Sequence, residues 1–127
     1  MDLIEIGKIF ATEPSVKLAY LFGSRARGDF SKTSDYDFAV YLVPFAQKEA
    51  IKTKTRLLSI LTKYLKTDDV DLLILNNSDK TELSFEVIND GKIILEKEPS
   101  RVILEPRIMN EYFDYKAGLQ RYGLTKS

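Results

Sequence analysis

The stretch LFGSRARGDFSKTSDYDFAVYL, Leu21 to Leu42, holds two apolar runs separated by a turn-rich segment, and two aspartates stand one residue apart at the mouth of the second run. Lys17 to Phe22 reads as a buried strand that stops at Gly23, and Tyr36 to Val43 reads as another. Side chains alternate along a strand, so Asp35 and Asp37 share a face about 7 Å apart, while Tyr36 and Phe38 point the other way. Two carboxylates that close repel each other. In a partly dry site one of them takes up a proton unless a cation compensates the pair. The arrangement therefore calls for a metal ion.

A third apolar run, VDLLIL from Val70 to Leu75, opens with Asp71 as the second opens with Asp35 and Asp37. If the two strands are neighbours, three oxygen donors converge. The chain has no histidine and no cysteine, which excludes thiolate chemistry, disulfides and imidazole bases, and leaves hard oxygen ligands suited to Mg2+. Two such ions held between carboxylates and substrate phosphates support phosphoryl or nucleotidyl transfer. The turn supplies the complementary half. Gly23 and Gly28 permit close backbone approach, the Ser24 hydroxyl can donate to phosphate oxygens, and Arg25 or Arg27 can neutralise them. Each part has an ordinary reading alone: GSRARG as a surface turn, Ser34 to Asp37 as a capping box, Asp71 as a strand-end residue. A calcium loop fails because Ala39 stands where a further ligand is needed. The conjunction is what points to chemistry.

The remaining sequence sets these strands in one expected domain spanning residues 1–127. Leu3, Ile4, Gly7 and Phe10 outline a short amphipathic helix ending before Pro14. From Pro44 to Lys66 a helix is expected, with Pro44 in its first turn and Ile51, Leu57, Leu58, Leu61, Tyr64 and Leu65 forming its apolar stripe. Asp79 is the expected N-cap of a further helix, with Glu82 three residues on, running to about Asn89 and ended by Gly91. Lys92 to Lys97 is a fourth strand, and the RVILE segment beyond Pro99 is either its partner or the start of the last helix. That last helix, from Pro106, carries Ile108, Tyr112, Tyr115, Leu119 and Tyr122, a stripe suited either to the sheet or to a partner surface. Alternating strands and helices give an α+β domain, a small sheet with helices packed on it.

Charge and hydropathy narrow the function classes. Nineteen basic and nineteen acidic residues cancel, which argues against bulk binding to nucleic acid. No apolar run nears the length of a membrane span and MDLIEIGK lacks the form of a signal segment, so a soluble cytoplasmic protein without direct nucleic-acid or membrane contact is expected.

Gly23 and Ser24, then ten residues, then Asp35-x-Asp37 complete a pattern that resembles the signature of the nucleotidyltransferase superfamily, which includes DNA polymerase beta and kanamycin nucleotidyltransferase. With FAVYLV, VDLLIL, GKIILEKE and the late NEYFDYKAGL, the chain most resembles the minimal nucleotidyltransferases, the MntA-type antitoxins paired with HEPN-domain toxins. The resemblance implies a mixed sheet with helices covering one face. It implies that Asp35 and Asp37 bind both Mg2+ ions, that Asp71 completes the catalytic triad, and that Gly23 and Ser24 hold the ATP triphosphate with Arg25 beside them. The implied reaction moves AMP from ATP to a tyrosine hydroxyl of the HEPN RNase toxin, with which the chain forms a hetero-oligomer. Two rivals stay open: an antitoxin that acts only by covering the toxin, and nucleotidyl transfer to a small molecule.

Overall fold

The computed structural model describes residues 2–31 and 33–123. Its organising strand is β1 (Val16–Phe22), in which every residue except Lys17 is buried. A strand that apolar on consecutive positions needs cover on both faces. It receives it. β1 pairs antiparallel with β2 (Tyr36–Leu42) on one side and with β4 (Lys92–Glu96) on the other. β3 (Val70–Ile74) adds parallel to β2, giving the order β3-β2-β1-β4. The fold is thus a four-stranded mixed sheet flanked by helices, as expected for the class.

One face of the sheet packs Ala19, Leu21, Phe38 and Val40 against Ile6 and Phe10 of α1 (Leu3–Ala11) and Leu57 and Leu61 of α3 (Gln47–Leu65). The other packs Leu18, Tyr20, Phe22 and Ala39 against Val87 of α4 (Thr81–Asp90) and Leu104 and Ile108 of α5 (Ser100–Arg121). Helices therefore cover both faces, where one covered face was expected. The double burial of β1 is the physical reason. α3 is the crossover that parallel pairing of β2 and β3 requires.

Several local expectations need correction. α3 begins at Gln47, and Pro44 stands in the bend before it rather than in its first turn. Asp79 does not cap α4: the N-cap is Lys80, which has no side-chain cap bond, and the Lys80 amide donates to Ser78 Oγ at 3.1 Å. RVILE is not a fifth strand: it lies within α5, where Leu104 packs against the sheet, and the outer edge of β4 stays unpaired among the described residues. α5 runs through Pro106, whose missing amide hydrogen would have bonded Val102; Val102 is 73 % exposed, so solvent can satisfy the freed carbonyl.

α5 is fastened at two points. The buried Tyr20 hydroxyl donates to Glu105 Oε2 at 2.8 Å, and Arg101 Nε donates to the same oxygen at 3.0 Å. Burial, then the bond and charge of Glu105, push the Tyr20 phenol well above its ordinary value. Further along, the Tyr112 ring stacks on Phe85 of α4 with centroids 4.0 Å apart and planes 5° from parallel. The expected aromatic stripe is thus divided. Ile108 packs on the sheet and Tyr112 on α4, while Tyr115 and Tyr122 are exposed.

Candidate active site

The site grows from the abrupt end of β1. Gly23 follows it with φ +76°, a left-handed conformation that glycine adopts without steric cost. The next residues wind into α2 (Ser24–Arg27), a single turn whose Ala26 and Arg27 amides donate back to the Gly23 carbonyl at 3.1 and 3.2 Å. Sequence reading treated this turn as irregular. A helix of one turn has too few positions to show a period.

Register then brings the acidic residues together. Phe22 is the partner of Asp37 across the antiparallel ladder, and Asp37 is the partner of Asp71 across the parallel one. Adjacent register partners project to the same face, so Asp37 and Asp71 lie side by side, and Asp35, just before β2, lines the same cleft. Gly23, Ser24, Asp35, Asp37 and Asp71 line one open cleft of about 380 Å³, together with Phe22, Arg27, Ser34, Leu83 and Glu86.

The electrostatics follow from this crowding. Burial first, then the charges of Asp71, Asp35 and Glu86, raise the Asp37 carboxyl above its ordinary value, and Arg27 pulls it down. Asp71 Oδ1 accepts the Leu72 amide at 2.9 Å. Among the described residues no three acidic side chains are already drawn in as tightly as an ion-ligand set. Three carboxylates and no softer ligand make a donor set that fits Mg2+.

The two arginines of the turn have separate places. Arg25 is buried and does not line the cleft: its Cζ lies 3.7 Å from the Tyr36 ring centroid and 4.8 Å from that of Phe30. Its Nε and Nη2 donate to the Ser34 carbonyl at 3.1 and 3.0 Å, and Nη2 also reaches the Ser31 carbonyl at 3.4 Å. It clamps the loop that delivers Asp35. Arg27 does line the cleft, with Nη1 2.9 Å from Glu86 Oε1 and Nε 3.4 Å from Asp29 Oδ2. Glu86 is the charged cleft residue that sequence reading missed. It sits mid-helix three residues after Leu83, and nothing local distinguishes it from a solvated glutamate.

Residues 5–100 match the family described as polymerase beta, nucleotidyltransferase. The chain belongs to that nucleotidyltransferase family. Its members transfer nucleotides, and the Gly23-Ser24 turn and acidic strand ends lie within the matched span. No curated protein matches the sequence. Among solved structures the fold is similar to that of a toxin-antitoxin with AMP-PNP, at 25% identity and TM-score 0.80, covering 96% of this chain and 95% of that one. It is similar as well to the toxin-antitoxin MntA-HepT, at 25% identity and TM-score 0.71, covering 94% and 92%. A third likeness, at 24% identity and TM-score 0.72 over 94% and 91%, is to a Shewanella oneidensis complex of tri-AMPylated HEPN toxin with MNT antitoxin, and it extends to the fold. This nucleotidyltransferase resembles MntA-type chains over nearly their whole length.

Proposed function

We propose that this nucleotidyltransferase is an antitoxin that transfers AMP from ATP to a tyrosine hydroxyl of a partner HEPN-domain toxin and thereby silences it. One observation carries the reading: the register that sets Asp37 beside Asp71, with Asp35 in the same cleft and the Gly23-Ser24 turn against them. The partner class is supported by similarity to toxin-antitoxin complexes, one of them with AMP-PNP, whose antitoxin-like chains this protein covers almost completely.

In this reading Asp35, Asp37 and Asp71 would hold Mg2+, which when bound neutralises triphosphate charge and steadies the attacking and leaving oxygens. Asp71, on the outer of the two strands, accepts the acceptor hydroxyl's proton as its oxygen bonds to the α-phosphorus and pyrophosphate departs. The Ser24 hydroxyl and the turn it belongs to orient the triphosphate, and Gly23 lets that turn close on Asp37. Arg25 serves indirectly, by fixing the approach to Asp35. No imidazole is required when positioning and charge neutralisation supply most of the catalysis.

A second reading has one observation in its favour. Phe113, Tyr115 and Tyr122 are exposed on or just after α5, so the chain could neutralise a toxin by covering it. One experiment separates the two. The protein is mixed with the HEPN toxin, ATP and Mg2+, and the toxin is weighed by intact-mass spectrometry. AMP additions by wild type, absent with Asp35→Asn/Asp37→Asn, support transfer. An unmodified toxin that both proteins silence equally supports masking and overturns transfer.

A further inference from the structure

We infer that Glu86 is a positioning residue for the nucleotide: it holds the Arg27 guanidinium at the cleft with Nη2 left for a triphosphate oxygen. The inference rests on the nucleotidyl-transfer reading above.

A guanidinium is a rigid planar fork. Two of its three nitrogens donate here to carboxylates from separate segments: Nε to Asp29, in the loop after α2, and Nη1 to Glu86, on α4. Nη2 has no hydrogen-bond partner among the described residues. Anchoring from two directions restrains the plane of the fork in advance, so an arriving anion has less of a long side chain to order. Arg27 is also the one cation among the described residues lining the cleft, set against the four carboxylates Asp35, Asp37, Asp71 and Glu86. A triphosphate entering there has a single side chain with which to form a charge-assisted bond.

The sign of one substitution decides the matter. If Glu86 were only one more negative charge facing the nucleotide, Glu86→Gln would relieve repulsion and tighten binding. If Glu86 positions Arg27, the same change weakens binding because the fork is released. Calorimetric titration of the full chain with AMP-PNP and Mg2+ reads the difference directly.

Glu86→Gln is expected to weaken AMP-PNP binding about tenfold, the loss of one charge-assisted bond. In toxin modification it should raise the KM for ATP and leave kcat within about threefold. In an Arg27→Ala background Glu86→Gln should cause no further loss, since there is no fork left to hold. Glu86→Asp, which keeps the charge at shorter reach and serves if the glutamine variant is unstable, should weaken binding as well. Unchanged or tighter binding by either variant overturns the inference, and so does an undiminished loss in the Arg27→Ala background. Wild type that takes up no AMP-PNP with Mg2+ overturns the underlying nucleotidyl-transfer reading. Wild type that binds while Glu86→Gln binds equally well overturns the Glu86 role alone.

Discussion

A methyl group on residue 23 would stand 2.5 Å from Asp37 Oδ2, in a backbone conformation of positive φ that side chains disfavour. Gly23→Ala must therefore move either the turn or the carboxylate. It should cost about 1–3 kcal/mol of stability and lower the proposed AMP transfer about a hundredfold, checked by thermal melts and intact-mass kinetics. Asp37 itself makes the opposite kind of prediction. Its carboxyl is raised above the ordinary value by burial and by Asp71, Asp35 and Glu86, so its ionised form is less favourable in the folded chain than in the unfolded one. That penalty is absent below the unfolded value near pH 4, grows as pH rises through the folded value, and is constant above it. Asp37→Asn should thus raise the melting temperature at pH 7 by about 2 °C, a small effect because the group is only partly buried, and the gain should vanish towards pH 3. Activity should vanish at the same time. A carboxylate kept at a cost to folding is what a reaction centre leads one to expect.

At the scale of elements, the clamp formed by Arg25 predicts where the protein loosens. Arg25→Ala removes hydrogen bonds to the Ser31 and Ser34 carbonyls and the stacking on Tyr36 and Phe30. The expected cost is about 2 kcal/mol, and hydrogen exchange should quicken between Asp29 and Ser34 ahead of the strands. The same segment shows what sequence reading could and could not reach. The two strands and the closeness of Asp35 to Asp37 were legible because alternation is a local property. The neighbourhood of Asp71 was legible only as a condition, since register depends on how α3 returns the chain. Arg25 looked like a phosphate ligand because its type and spacing suit one; its burial under Tyr36 is a tertiary fact. The Asp2 cap of α1, accepting the Ile4 amide at 2.9 Å, accords with the ordinary preference of aspartate for that position. RVILE was ambiguous from the start, because its apolar residues satisfy a short strand as well as a helix.

For the molecule as a whole, Tyr20 ties stability to alkaline pH. Its phenol is pushed well above the unfolded value near 10 by burial and by Glu105, so the folded protein retains the proton after the unfolded chain has released it. Stability is full below pH 10 and falls as pH rises beyond it. Denaturant midpoints measured between pH 9 and pH 11 should decline for wild type, and decline less for Tyr20→Phe, relative to their values at pH 8. The chain order of the sheet carries a consequence for biosynthesis. β1 and β2 form a local hairpin, but the third carboxylate comes only with β3, after α3, and Glu86 only with α4. A polypeptide still emerging from the ribosome and ending before Val70 holds the glycine turn and two aspartates with nothing to complete them. On the proposed roles of the three aspartates, competence arrives with the second half of the chain, so an unfinished copy would be chemically silent.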